Sequence, residues 1–354
     1  MIETYLIAGL FAFLLTFILC LLALKLFPKW GLLDRPKRYG LKRKPIPYYG
    51  GLILFMSFLV SVLIFVKLDE VLIIFLLAAF LLVFVSFLDD MFGLSPYLRL
   101  FVQVFVGGML VCAGIGILSI SNPLGDPILL DQWKWTFTLD HVYTFSVLSA
   151  LFTIVWVVAF INSFNWLDGL NGLPSGVAAI AGATLFLLSI RPDIHFDISS
   201  QQPVAMMSII VAASAFAFWI FDFYPARMLM GDTGSMFLGF VLATLAIFSG
   251  GKIATAILVM GFPLLDAAWV IVRRILQGQS PFKGDLKHLH HRLLEVGLSH
   301  RQVLYLIYGV SAVFGGIAVF LEGMSKLYAI IAMVCLMVIV GSIAVYFSWK
   351  KKEI

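Results

Sequence analysis

Long apolar stretches alternate with short polar separators along the whole chain. About 20 consecutive apolar residues suffice to cross a bilayer as a helix. Eleven stretches approach that length: roughly 4–27, 49–66, 71–88, 97–119, 143–163, 172–190, 203–221, 233–249, 253–272, 302–321 and 327–348. They are near-continuous, not alternating. This predicts an all-α polytopic membrane protein of about eleven transmembrane helices and excludes a membrane β-barrel. One separator behaves differently. In the segment 121–142, Trp133, Trp135, Phe137 and Leu139 alternate with polar residues. That period of two predicts a small external β-hairpin, its tryptophans anchored at the membrane interface. No internal repeat and no soluble appendage interrupts the rhythm, so residues 1–354 read as one integral membrane domain. The first run is longer than a cleavable signal and lacks a basic start, so no removable leader is expected.

Composition removes the soluble alternatives. Hydrophobic residues make up 62% of the chain and charged residues 12%. A soluble domain carries about 45–50% and about 25%. The charge is too scarce to coat a water-exposed surface, which excludes a soluble enzyme, a disordered chain and a disulfide-stapled secreted domain. Cys20, Cys112 and Cys335 all fall in apolar runs and read as packing residues. The net charge of +5 is explained by loop bias, without nucleic acid as a partner. With the N-terminus outside and eleven alternating spans, 19 of the 24 lysines and arginines fall on one side. The other side holds Lys67, Lys134, Arg191, Lys252 and Lys326. The basic side is the cytoplasmic one, and it includes the C-terminus.

Candidate chemistry gathers on that same face. Asp89 and Asp90 follow directly on the run VFVSFL. Acids at a helix C-terminus oppose its dipole, so two together need a cation nearby. In FNWLDGLNGLPSG, Asp168 and Asn171 offer oxygens three residues apart for a sugar or a metal, and Gly169 and Gly172 permit close backbone approach. In ARMLMGDTGS, the segment 231–235 opens a span, where glycines and free N–H groups make an anion nest and Asp232 can hold Mg²⁺ beside phosphate. Asp222 and Asp266 lie at span ends on this face, and Asp285 lies in its last loop. That loop carries His288, His290 and His291 beside Lys287 and Arg292. If helical, His288 and His291 share a face and His290 does not. No cysteine lies near, so diphosphate or sugar binding is expected there in preference to zinc. Together these residues point to phosphoryl chemistry, which rests on positioning and charge neutralisation. A site at the membrane–cytosol boundary suits one lipid substrate and one soluble nucleotide.

The stretches LDDMFGLSPYLRL, NWLDGLNGL, FYPARMLMGDTGSMFLG and PLLDAAWVIVRRILQGQSPFKGDLKHLHHRL resemble the polyprenyl-phosphate N-acetylhexosamine-1-phosphate transferase family, over residues 30 to 295 or so. GDLKHLHHRL, preceded by Pro263, Asp266, Arg273 and Arg274, resembles the undecaprenyl-phosphate GlcNAc-1-phosphate transferase branch. The resemblance implies transfer of a sugar 1-phosphate from a UDP-sugar donor to a polyprenyl phosphate acceptor, releasing UMP, with Mg²⁺ or alternatively Mn²⁺. It implies Asp89, Asp90 and Asp168 as catalytic residues and Asp232 as the metal ligand. It matches His288, His290 and His291 to the family's histidine motif; with Asn165, Asn171 and Asp222 they are expected to contact nucleotide or sugar, and Arg99, Lys42 and Arg43 are expected to contact the lipid phosphate. For Arg99 a snorkelling anchor at headgroup level is the competing reading. The implied setting is the bacterial inner membrane, with the site facing the cytoplasm and a homodimer as an open expectation. Three positions depart from the family pattern. Asn171 stands where a second Asp is common, Asp222 where Asn is common, and Lys42-Arg43-Lys44 precede PIPYYGG where a His is usual. The alternatives are another UDP-N-acetylhexosamine, UDP-MurNAc-pentapeptide as donor, or a secondary transporter with the acids as an ion pathway.

Overall fold

The computed structural model describes residues 2–36, 42–120, 122, 125–138, 142–191, 198–249, 253–278, 288–321 and 323–350. Leu139, Asp285 and Lys287 lie outside the described residues. Within them run α1 (Ile2–Leu26), α2 (Gly50–Phe65), α3 (Glu70–Phe92), α4 (Pro96–Cys112), α5 (Val147–Leu167), α6 (Leu173–Ser189) and α7 (Ile198–Asp222). These are followed by α8 (Gly231–Phe248), α9 (Ile253–Val259), α10 (Gly261–Leu276), α11 (Leu289–Val296), α12 (His300–Phe320) and α13 (Met324–Lys350). Local chemistry sets several of the starts. The Asp69 side chain accepts from Leu72 N to open α3, and Ser95 accepts from Leu98 N with Pro96 in the first turn of α4. A reciprocal Ser299–Gln302 capping box opens α12.

Seven of these helices are long and apolar enough to cross a membrane: α1, α3, α5, α7, α8, α12 and α13. An eighth span results if α9 and α10, bent by 86° at their junction, count as one. The helices α2, α4 and α6 have 16, 17 and 17 residues. At about 1.5 Å per residue they reach roughly 25 Å, short of a hydrocarbon core of about 30 Å. The eleven expected runs thus correspond to seven or eight helices long enough to cross and three shorter apolar helices, α2, α4 and α6.

Two boundaries also differ from expectation. The run 97–119 stops being helical at Cys112, and Ser119–Ile120 pairs with Ile128–Leu129 as β1 and β2. The run 143–163 starts as a strand: β3 (Lys134–Thr138) pairs antiparallel with β4 (Val142–Ser146), and α5 then continues to Leu167. The residues Val142-Tyr143-Thr144-Phe145 are β-branched or aromatic throughout, so strand pairing wins over helix there. Trp133 and Trp135 are exposed.

The bundle is organised around α8, whose apolar window is 89% buried, against 11% for α13. Helices α2, α3, α5 and α6 pack on it. The helix α2 lies so close that a Cβ on Gly51 would sit 2.1 Å from Gly234 N. Backbone bonds join the start of α2 and the residue run before it to the segment that precedes α8: Leu229 N donates to Pro47 O, Gly50 N to Leu229 O and Gly51 N to Met230 O, each at 2.9 Å. The helices α2 and α8 thus start side by side. The ends of α3 and α5 and the start of α4 reach the same end of the bundle.

Candidate active site

The two acids that end α3 find separate partners. Asp89, nearly buried, accepts from Leu94 N at 2.6 Å and from Arg99 Nη1 at 3.0 Å. Asp90 turns toward the start of α8. Its Oδ1 accepts from Tyr48 OH at 2.9 Å and Asp232 N at 3.0 Å. Its Oδ2 accepts from Thr233 N at 3.0 Å and Thr233 Oγ1 at 2.5 Å. The N–H groups expected to form an open anion nest are therefore already capped, by a carboxylate from another helix. The arrangement is favourable for both elements. Asp90 is badly placed at the C-terminus of α3 but well placed at the N-terminus of α8.

Arg99 is the cation beside Asp89, and it is shared with Asp232 instead of Asp90. Its Nη1 donates to Asp89 Oδ2 and, at 3.1 Å, to Asp232 Oδ2. The side chain stays about a third exposed, as does that of Asp232. On the adjoining side lies an apolar groove of about 520 Å³ between α4, α5 and α10. Leu100, Val104, Val155, Val158, Ala159, Leu264, Ala267 and Ile271 line it, and Arg99 and Asn165 stand at its polar end. A partly buried interhelical bond crosses its wall, from Asn162 Nδ2 to Gln103 Oε1 at 2.6 Å.

Asp168 follows α5 and is half-buried. Its enclosure, and after it the carboxylates of Asp222, Asp232 and Asp90, hold its carboxyl well above the usual carboxylate range. These four acids act on one shared space. Asn165 donates to Ser235 Oγ at 3.3 Å, which ties α5 to the first turn of α8. Asn171 is half-buried in the turn after Asp168. Asp222 is fully buried and accepts from Ser175 Oγ at 2.7 Å, so it braces the first turn of α6, directly after the Asp168 loop. Its Oδ1 has no hydrogen-bond partner among the described residues. Tyr308 OH accepts from Trp219 Nε1 at 2.9 Å and donates to Gly172 O, securing the loop from α12.

The histidines arrive differently from the helical expectation. The helix begins at Leu289, with His288 as its N-cap, so His288 falls outside the helical period. Asp266 of α10 accepts from Leu289 N at 2.8 Å and pairs with His288 Nδ1 at 2.9 Å. The His290 ring lies between those of His288 and His291, at centroid distances of 5.7 and 4.2 Å. It is fully buried, and neither ring nitrogen has a hydrogen-bond partner among the described residues. Burial, then His291 and His288, push its pKa well below the ordinary imidazole value, so His290 is neutral. A Cβ at Gly169 would meet His290 Nε2 at 2.9 Å and His291 Nε2 at 3.1 Å, so the histidine helix touches the Asp168 loop.

The structure thus brings together Asp89, Asp90, Arg99, Asp232, Asn165 and Asp168, with the histidines against the loop that follows Asp168. It does not bring in Arg43, whose guanidinium pairs with Asp34 at 2.5 Å, nor does any described contact tie Lys42 to the cluster. Sequence reasoning passed over Tyr48, Ser175, Gln103 and Tyr308. Of these only Tyr48 carried a signal, as the first of the two tyrosines that precede the glycine pair of PIPYYGG.

Among the described residues no three His, Cys, Asp or Glu side chains form a metal cage. Mg²⁺ does not demand one, since it takes one or two carboxylates and completes its shell with water and substrate phosphate. The donor set fits: Asp232 keeps an accessible carboxylate, and Asp168 is crowded by acids that a divalent cation would neutralise.

Residues 72–250 match the family model described as glycosyl transferase family 4. The chain is 28% identical, over 89% of its length and 85% of the relative's, to the probable undecaprenyl-phosphate N-acetylglucosaminyl 1-phosphate transferase of Bacillus subtilis (strain 168). It is 30% identical to the undecaprenyl-phosphate alpha-N-acetylglucosaminyl 1-phosphate transferase of Salmonella typhi, over 88% of this chain and 82% of that one. The decaprenyl-phosphate N-acetylglucosaminephosphotransferase of Mycobacterium leprae (strain TN) is also 30% identical, over 77% of this chain and 72% of its own.

Proposed function

The chain belongs to glycosyl transferase family 4, and on that premise we propose that it transfers GlcNAc-1-phosphate from UDP-GlcNAc to undecaprenyl phosphate. The reaction releases UMP and starts cell-envelope polysaccharide synthesis. The observation that carries this reading is the groove: an apolar trough whose polar end is a guanidinium already joined to two carboxylates. A polyprenyl phosphate has that same polarity, a long apolar tail ending in an anion.

In the proposed mechanism an acceptor phosphate oxygen attacks the β-phosphorus of the UDP-sugar, and the bond to the UMP oxygen breaks. Phosphate monoesters have a second pKa near 6 and are largely ionised at neutral pH, so no strong base is needed. Arg99 offers its remaining guanidinium N–H groups to the acceptor phosphate, which a planar fork can grip bidentately. Asp89 anchors Arg99, and Asp90 fixes the start of α8. Asp232, helped by Asp168, would hold Mg²⁺, which when bound neutralises diphosphate charge and supports the departing UMP. His288, oriented by Asp266, and the buried His290 back the Asp168 loop, on the side where the donor's diphosphate or sugar would lie. Donors occupy both oxygens of Asp89 and of Asp90, which favours direct displacement over an aspartyl-phosphate intermediate. The lysine and arginine split supports a site facing the cytoplasm, where UDP-sugars are made.

The test is a panel of UDP-GlcNAc, UDP-GalNAc and UDP-MurNAc-pentapeptide with undecaprenyl phosphate and Mg²⁺ in detergent micelles, scored by lipid product mass. The expected result is GlcNAc-diphosphate-undecaprenol with one UMP per product. Absence of lipid product from every donor would refute the reading.

A further inference from the structure

Tyr48 sits where three separate features meet. The next residue, Tyr49, has φ 72 and ψ 29, a left-handed conformation that is strained for an aromatic side chain. That strain turns the chain so that Gly50 N reaches Leu229 O while Tyr48 points back toward α8. Tyr49 packs edge-on against Tyr48 at 4.8 Å and against Phe87 at 5.4 Å, which holds the turn. The Tyr48 ring in turn rests on Gly231. A Cβ there would lie 3.0 Å from Tyr48 Cζ, 3.1 Å from its hydroxyl and 2.7 Å from Asp90 Oδ2, so a side chain on Gly231 would collide with both partners. The hydroxyl donates to Asp90 Oδ1, the same oxygen that accepts from Asp232 N. Burial and the carboxylates of Asp90, Asp232 and Asp168 raise the Tyr48 pKa, so the phenol keeps the proton it donates.

We propose, resting on the transferase reading above, that Tyr48 is a positioning residue for the transfer step. Its hydroxyl fixes the Asp90 carboxylate, Asp90 fixes the first turn of α8, and that turn aims the Asp232 side chain. The competing reading is that Tyr48 contributes ring packing alone and its hydroxyl is incidental.

Tyr48→Phe separates the two, because it keeps the ring on Gly231 and removes only the donor. Hydrogen–deuterium exchange on the full chain in micelles reads residues 229–237, which contain the amides of Asp232 and Thr233. Loss of one hydrogen bond to a charged acceptor should speed exchange there by about tenfold and leave α12 unchanged. In initial-rate assays kcat should fall by about tenfold while both KM values stay within about twofold. Asp90→Asn should open the same amides, and adding Tyr48→Phe to it should accelerate them no further. Three results would overturn the proposal: unchanged exchange at 229–237, lowered kcat without that exchange change, or additive effects in the double variant. If the wild-type chain makes no lipid product, the transferase reading fails by itself, and the exchange data still decide the Tyr48–Asp90–α8 link.

Discussion

Replacing Arg99 by lysine tests the heart of the site, because one nitrogen serves two acids and the rest of the group faces the groove. Arg99 Nη1 donates to Asp89 Oδ2 at 3.0 Å and to Asp232 Oδ2 at 3.1 Å. A lysine ammonium is a compact charge that can satisfy one of these oxygens well and cannot grip phosphate through two parallel N–H bonds. One hydrogen bond to a charged group is worth about 1.5–3 kcal/mol, which partial exposure reduces toward the lower end. A loss of about 1.4 kcal/mol corresponds to a factor of about ten. Arg99→Lys should therefore raise the KM for undecaprenyl phosphate about tenfold and leave the KM for UDP-GlcNAc within about twofold. The assay is initial velocity in mixed micelles, with each substrate varied at saturating levels of the other. Wild-type values for both would refute the clamp and leave Arg99 as a membrane anchor. A fall in kcat with both KM values unchanged would restrict Arg99 to steadying Asp89 and Asp232.

Asp232→Asn should lose at least about 10²-fold in turnover, as for other single preorganised charge-stabilising groups, while the chain remains folded by near-native thermal midpoint and gel filtration. Retention of near-normal Mg²⁺-dependent activity would remove Asp232 as metal ligand. The raised Asp168 pKa gives a pH prediction of definite sign. A carboxyl whose pKa is raised by folding favours the fold while protonated, and this contribution is lost as pH climbs through the folded-state pKa. In Mg²⁺-free buffer the thermal midpoint should fall as pH rises above the ordinary carboxylate range, and Asp168→Asn should flatten that slope. A wild-type slope of the opposite sign, or one that Asp168→Asn leaves intact, would refute the crowding of acids around Asp168. A cysteine at Lys42 should react with an impermeant thiol reagent only after the inner membrane is opened, and one at Trp135 should react in intact cells. Labelling of the Lys42 position from outside would invert the topology.

Much of the fold was legible because helical burial in apolar surroundings needs only long apolar runs; the caps at Ser95-Pro96 and Ser299-Gln302 emerge in the structure. What composition could not reveal was length against bilayer thickness. The runs behind α2, α4 and α6 read as spans, yet their helices stop at 16 or 17 residues. For α4 the reason lies in Gly114 and the β-prone residues after it, which divert the chain into β1. The 86° bend between α9 and α10 was equally hidden, since apolar content continues unbroken through Met260 and Gly261.

The site shows a sharper division between what residue type can say and what only contact can say. Two acids at the end of α3 signalled a missing cation; Arg99 supplies it for Asp89, while Asp90 is met by the N–H groups that open α8. The glycine-flanked start of α8 signalled an anion, and there is one, but it is Asp90 and not a substrate phosphate. Sequence spacing gives the need of each helix end separately; it does not say that the surplus of one answers the deficit of another. Once Asp90 caps α8, its pair with Asp89 divides the work. Asp89 steadies the guanidinium that faces the groove, and Asp90 steadies the turn that carries Asp232. Arg99 closes the circuit by touching Asp232 as well. A change at any of the four is thus felt at the other three, so single-residue losses of activity here will not add, and only double-variant cycles can apportion them.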